Sequence, residues 1–275
     1  MAHMARTITL LSDYGLRDEF VGVVHAVIAG IAPTARVIDL SHGVPRQDVE
    51  AGARMLARSL PFAPAGVHVA VVDPDVGARR RAIALLTAEE ERLLVGPDNG
   101  LLLLAAERFG GVAEAVEISA SPWRLEPVSA TFHGRDVFAP AAAHIALGVE
   151  PSAFGPAVPV DDLVRLDVPE PETGERRITA TVLYVDSFGN VQLNVTVDDL
   201  EEVGIEPGSR VELVLGPDRY YAIAARTFED ARPGDLILYS DAYHNVSLAI
   251  SGGNAVELLG SGPGDRVRIF LRPNQ

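Results

Sequence analysis

The stretch V-H-V-A-V-V-D-P-D-V-G-A-R-R-R, Val67–Arg81, decides the architecture. Val67–Val72 has the length and β-branched content of a buried strand. Asp73-Pro74-Asp75-Val76-Gly77 ends it, because proline cannot continue a ladder and glycine permits a tight turn. The carboxylates therefore fall just past the carboxyl end of a core strand, where open α/β sheets place ligands. Taken alone, a D-P-D turn followed by arginines is equally an ordinary strand-end turn facing water.

On the N-terminal side, Thr7–Leu11 reads as a first strand ending in Ser12-Asp13-Tyr14-Gly15. Phe20–Ile31 has a helical, largely apolar pattern closed by Pro33, and Arg36–Asp39 is a second short strand. A polar loop, Ser41–Arg46, leads to a helix over Asp48–Leu60. On the C-terminal side, Ala82–Thr87 and Arg92–Val95 read as strands paired around Glu89–Glu91. A helix over Leu101–Phe109, a strand over Ala113–Ile118 and a helix over Val137–Leu147 follow. Strands alternating with helices predict a layered α/β domain with a mostly parallel sheet.

The pattern changes near residue 150. Residues 151–176 are proline-rich without helical period and read as a connection. From Arg177 onward short strands separated by turns such as Glu206-Pro207-Gly208 predict a small β-barrel. The expected division is an N-terminal α/β domain over 5–160 and a C-terminal barrel domain over 161–275. No internal repeat is visible in the sequence.

The chain has 275 residues, 48% of them hydrophobic and 22% charged, as in soluble globular proteins. A net charge of −15 argues against nucleic-acid backbones and anionic membranes as partners. The absence of cysteine excludes disulfides and thiolate chemistry. Met1-Ala2-His3-Met4 reads as an expression remnant with the native start near Met4. Without a signal peptide or a long apolar run, a cytoplasmic location is expected.

Polar clusters stand where packing does not require them: Asp13 with Asp18, Asp73 with Arg79–Arg81, and His133 with Arg135 and Asp136. The barrel half adds Asp186-Ser187-Phe188-Gly189-Asn190, Thr227-Phe228 and Gly252-Gly253-Asn254. Each has a plain alternative. Asp13 is equally a turn residue or helix cap, His133 a surface-loop histidine, Phe188 and Phe228 core aromatics, and Asn190 and Asn254 turn residues.

Their order is more specific than any one of them. L-S-D-Y-G-L-R-D at Leu11–Asp18, V-V-D-P-D-V-G-x-x-R at Val71–Arg80, P-D-N-G at Pro97–Gly100, T-F-H-G-R-D-V-F-A-P at Thr131–Pro140, D-S-F-G-N at Asp186–Asn190 and G-G-N-A at Gly252–Ala255 run in sequence. The chain in this respect resembles the S-adenosyl-L-methionine (SAM) hydroxide adenosyltransferases, or SAM hydrolases, relatives of the fluorinase and chlorinase. The resemblance implies hydrolysis of SAM to adenosine and L-methionine by water or hydroxide attack at the ribose C5′. It implies a catalytic set of Asp73, Arg80 and His133. Asp13 corresponds to the acceptor of both ribose hydroxyls and Asp186 to the partner of the methionine ammonium. Phe188 and Phe228 correspond to the aromatic walls of the adenine, Asn190 to the amide that reads it, and Gly253 to a backbone contact at its edge. Asp18 and Gly134 are grouped with the substrate-binding residues. The resemblance also implies a homotrimer with ligand sites between subunits, and neither metal nor cofactor.

The chemistry suits these residue types. A sulfonium departs as a neutral thioether and needs no acid, whereas water needs a base or a hydroxide-stabilising group. One carboxylate matches a vicinal diol with two acceptor oxygens. Two features depart from the family pattern: Asp75 replaces a usual glycine, and Ser240–Val246 fits poorly the region that helps hold the methionine carboxylate, so no residue takes that role.

Three rivals remain. A halide transferase forming 5′-chloro-5′-deoxyadenosine fits small Gly134, but a carboxylate at position 73 repels halide. A metal-dependent phosphoesterase would use Asp73, Asp75, His133 and Asp136, with Arg80 and Arg135 crowding the cation. A non-catalytic SAM or adenosine sensor would not need Asp73, Arg80 and His133 together.

Overall fold

A computed structural model describes residues 6–272, so the reading of Met1–Met4 lies outside the described residues. The chain divides into two compact units, one ending at Leu166 and the other beginning at Asp167.

The first unit is built on a six-stranded sheet. Its strands are β1 (Thr7–Ser12), β2 (Val37–Ser41), β3 (Gly66–Val71), β4 (Ala82–Thr87), β5 (Leu93–Pro97) and β6 (Val112–Glu117), in the spatial order β2-β1-β3-β5-β4-β6. β2, β1, β3 and β5 run parallel, while β4 is antiparallel to β5 and β6. Every residue of β3 is buried, because both faces of the sheet are covered. Val67, Val69 and Val71 join one apolar cluster and Ala70 and Val72 the other.

Helix α1 (Phe20–Ile31) buries Val21, Val24 and Ile28, a single stripe at helical spacing. Helix α2 (Val49–Ser59) starts at Asp48, whose carboxylate accepts the Ala51 N–H at 2.9 Å. A 3₁₀ turn over Leu60–Phe62 follows it. Helix α3 (Leu103–Glu107) is shorter than expected. Helix α4 (Ala139–Ala146) is preceded by a wide π-type turn over Gly134–Phe138, in which the Ala139 N–H reaches the Gly134 carbonyl. The expected helix start at Val137 is therefore corrected to an earlier, irregular entry.

The second unit is a barrel. Its strands are β7 (Glu172–Gly174), β8 (Arg177–Val185), β9 (Val191–Thr196), β10 (Arg210–Leu215), β11 (Asp218–Ala225), β12 (Leu236–Ser240), β13 (Asn245–Ile250) and β14 (Arg266–Leu271). The order is β14-β10-β11-β12-β13-β9-β8-β7, and β14 pairs back onto β8. Seven strands thereby close, with β7 outside the ring. The enclosed core is aliphatic, including Val182, Val191, Leu193, Leu213, Leu238, Leu248 and Ile269. Two short helices were not anticipated, α5 (Val197–Glu202) and α6 (Ala255–Leu259). Among the described residues no helix is long and apolar enough to cross a membrane.

Candidate active site

β1 and β3 are parallel neighbours, with Ser12 level with Val71. The turns that follow them, carrying Asp13 and Asp73, therefore leave the sheet side by side at its carboxyl edge. The turn after β3 is held by Gly77, at φ 78°, which lies against the loop before α4. A β-carbon there would sit 2.2 Å from the Ala130 carbonyl oxygen, so only glycine allows the two loops to meet.

That approach assembles Asp73, Arg80 and His133. Arg80 Nε donates to Asp73 Oδ1 at 2.9 Å and to Oδ2 at 3.0 Å, and its Nη2 also reaches Oδ2. The same Nη2 lies 2.8 Å from His133 Nδ1. The two charged side chains are nearly enclosed, at 7% exposure for Arg80 and 5% for Asp73. Arg80 also lies 5.3 Å over the Phe138 ring. A guanidinium can only donate, so Nδ1 of His133 accepts and neutral His133 carries its proton on Nε2. Burial, and then the Arg80 charge, hold the His133 pKa below its ordinary value, against opposing pulls from Asp73 and Asp136.

The neighbouring arginines have other roles. Arg81 pairs with buried Asp98, which also accepts the Val164 N–H at 2.9 Å, while Arg79 is exposed. Asp136 is 1% exposed and organises the loop before α4, accepting the Ser129 N–H at 2.8 Å and the Arg135 guanidinium. Burial alone would raise the Asp136 pKa, but those hydrogen bonds bring it below the usual carboxylate value.

Asp13 Oδ2 accepts the Gln47 N–H at 2.9 Å. Asp18 is exposed on the bend before α1. Gly134 is buried against Tyr14, which was part of a motif but assigned no role. Burial, then the carboxylates of Asp13 and Asp73, drive the Tyr14 pKa upward, so its hydroxyl stays protonated.

In the barrel unit, Asp186 shapes its own loop. Oδ1 accepts the Phe188 and Asn190 N–H groups, both at 2.9 Å, and Oδ2 accepts the Asn190 side-chain amide at 2.8 Å. Phe188 projects at 78% exposure and Phe228 at 42%, so neither is a core aromatic. Phe228 lies 5.1 Å from the Tyr239 ring. Gly253 donates its N–H to the Ile250 carbonyl at 3.1 Å.

The same loop geometry recurs once in the barrel unit. Asp241-Ala242-Tyr243-His244-Asn245 forms the same loop between β12 and β13 that Asp186–Asn190 forms between β8 and β9. Asp241 Oδ1 accepts the Tyr243 and Asn245 N–H groups at 2.8 and 3.0 Å. His244 takes a positive φ of 65°, as Gly189 takes 80° in the first copy. The signal was the spacing D-x-aromatic-x-N. Tyr239 lies between the copies: its pKa is pushed up to about 12 by burial, then by Asp186 and Asp241.

With this geometry in place, the comparisons with known proteins are specific. Residues 8–155 match the SAM hydroxide adenosyltransferase N-terminal domain, and residues 180–268 match the C-terminal domain. The chain belongs to the SAM hydroxide adenosyltransferase family. It is 50% identical over 262 residues to a protein of Salinispora tropica named (R)-S-adenosyl-L-methionine hydrolase, covering 95% of this chain and 97% of the relative. A protein of the same name from Thermus thermophilus is 40% identical, covering 96% and 100%. A fluorinase of an Actinoplanes species is 30% identical, covering 88% and 90%. The fold is shared with a crystal structure of a conserved protein from Thermotoga maritima, with a TM-score of 0.89, 34% identity and coverage of 96% and 99%.

Proposed function

We propose that the protein hydrolyses SAM to adenosine and L-methionine by attack of water at the ribose C5′. The observation that carries this reading is the enclosed Asp73–Arg80–His133 cluster at the carboxyl edge of the parallel sheet. Water forms the new bond to C5′, the C5′–S bond breaks, and its electron pair leaves on a neutral thioether sulfur. The surplus proton must go to an anionic or neutral acceptor. The single lone pair of His133 Nδ1 is engaged by Arg80, whereas Asp73 Oδ1 accepts one bond from Arg80 and keeps a second lone pair, so Asp73 is the better acceptor and His133 Nε2–H is a donor that orients the water. Arg80 positions Asp73 and stabilises the hydroxide character that develops.

In this reading Asp13 grips the ribose diol and Asp186 the methionine ammonium. Phe188 and Phe228 sandwich the adenine, their exposed rings gaining cover from it. Asn190 and Gly253 read its edge, while Asp18 and Gly134 line the ribose end. The domain over 5–160 carries the reaction and that over 161–275 the recognition of adenine and methionine. The protein acts in the cytoplasm as a homotrimer with sites between subunits, and light scattering tests that assembly.

The decisive experiment incubates the protein with SAM and chloride in ¹⁸O-labelled water and identifies products by mass spectrometry. Adenosine labelled at the 5′ oxygen, with methionine, is expected. A 5′-chloro product establishes halide transfer instead. Bound but unconsumed SAM establishes a sensor.

A further inference from the structure

Beside the Asp13 turn runs a hydrogen-bonded chain, buried at Ser12 and His42, that the reaction itself does not use. Ser12, at 2% exposure, places its Oγ 2.7 Å from Nδ1 of His42, which is 7% exposed. The same Oγ accepts the Tyr14 N–H at 3.3 Å. His42 Nε2 lies 3.0 Å from Asp39 Oδ1, out of line for a full hydrogen bond, and Asp39 Oδ1 is also met by His25 Nε2 at 2.9 Å. A lone pair on Nε2 would face a carboxylate oxygen, so the proton belongs there. In neutral His42, Nδ1 then accepts the Ser12 hydroxyl, and Ser12 in turn accepts Tyr14 N–H. Every donor and acceptor of the chain is matched in that tautomer.

The backbone tightens the same connection. The His42 carbonyl accepts the Gly15 N–H at 2.8 Å, and Val44 N–H reaches the Ser12 carbonyl at 3.4 Å. Farther along the same loop, Gln47 turns its N–H onto Asp13 Oδ2 from a left-handed conformation, φ 62°. The loop after β2 thus clamps the turn after β1 on both sides of Asp13, and His42 is its buried strut.

We propose that His42 is a positioning residue for Asp13, anchored by Asp39 and His25 and acting through Ser12 and the Ser12–Gly15 turn. The proposal rests on the reading of Asp13 as the diol acceptor. A diol contact is made in both ground and transition states, so loosening it raises KM and leaves kcat nearly unchanged.

The test is a double-substitution cycle in SAM turnover with His42→Asn, Asp13→Asn and the pair, each checked for folding by thermal melting. His42→Asn is expected to raise KM by about tenfold, the effect of one well-placed hydrogen bond, with kcat within about twofold. In the Asp13→Asn background the same substitution should add less than about twofold, because its target is gone. Full additivity, or an unchanged KM in His42→Asn, overturns the proposal. An unchanged KM in Asp13→Asn is a different result: it removes the diol reading and the proposal with it. Should His42→Asn fail to fold, Ser12→Ala breaks the middle link with little change in volume and is held to the same criteria.

Discussion

The hydroxyl of Tyr14 stands where a β-carbon on residue 134 would need to be: an ideal Cβ built on Gly134 lies 2.1 Å from the Tyr14 oxygen. The two positions are therefore matched, and the space beside His133 is set by the tyrosine.

Gly134→Ala should accordingly destabilise the protein by about 1–3 kcal/mol, the usual cost of forcing an atom into a packed site. Removing the hydroxyl leaves the Tyr14 Cζ, 3.1 Å away, as the nearest neighbour. Tyr14→Phe should thus recover much of the stability lost in Gly134→Ala. Urea unfolding of both single variants and the pair measures the coupling, and strictly additive effects would contradict the geometry.

Asp73→Asn should lower kcat by about 10²–10⁴, the range for loss of a general base. Arg80→Lys should be nearly as damaging, since an ammonium cannot make the fork to Asp73 and the bond to His133 together. Because the pair is enclosed, Arg80→Ala should also cost about 3–5 kcal/mol of stability by stranding a carboxylate. Single-turnover kinetics and denaturant melts separate the two effects.

Acid should weaken the fold through its buried histidines. His68 is fully buried, and its pKa is lowered to about 3 by burial, then by the Arg92 charge. Arg92 lies 3.4 Å from Nε2, and Nδ1 is 2.9 Å from Thr9 Oγ1. Below about pH 6.5 the unfolded chain protonates this histidine while the folded chain does not, so the unfolded state binds more protons. Stability should therefore fall with decreasing pH by about 1.4 kcal/mol per unit down to about pH 3, from this group alone. His68→Gln should flatten that slope in melts taken across the window.

Turnover should follow a different profile. His133 is held neutral, so its acid limb belongs below about pH 6.5, the ordinary histidine value. Tyr14 stays protonated and adds no alkaline limb below its ordinary value of about 10. Rates measured from acid to alkaline pH check both limbs, and a Tyr14→Phe variant shows whether any alkaline loss belongs to the tyrosine.

Chelation separates hydrolysis of SAM from phosphoester chemistry. Among the described residues no group of three or more His, Asp or Glu side chains is arranged to hold a metal ion. Dialysis against a chelator should leave turnover unchanged, whereas loss restored by a divalent cation would favour the metal-dependent reading.

Apart from β7, which falls in the stretch read as a connection, the strands were legible because their physics is local. The apolar run of β3 shows its burial directly, and Pro74 marks where it stops. The short helices were less visible, although their caps were written in the sequence: Thr196 with Asp199, and Asn254 with Glu257. Candidate site residues could be proposed from motif order, but their arrangement could not. Nothing near Arg80 in sequence says that it chooses Asp73 and His133, while Arg81 chooses Asp98. That partition depends on Gly77 meeting Ala130, a contact between loops far apart in the chain. The His42 strut stayed hidden for the same reason, since Ser12 and His42 meet only after β1 and β2 pair.

The pairing of β14 with β8 has a consequence for how copies of this chain can associate. A ring of strands offers no row of unpaired amides, so this unit has no long template onto which another chain could add a strand. Among the described residues of this unit, β7, three residues long, is the strand left as an edge. Any association through the barrel would have to be written in side chains and loop tips rather than in added strands.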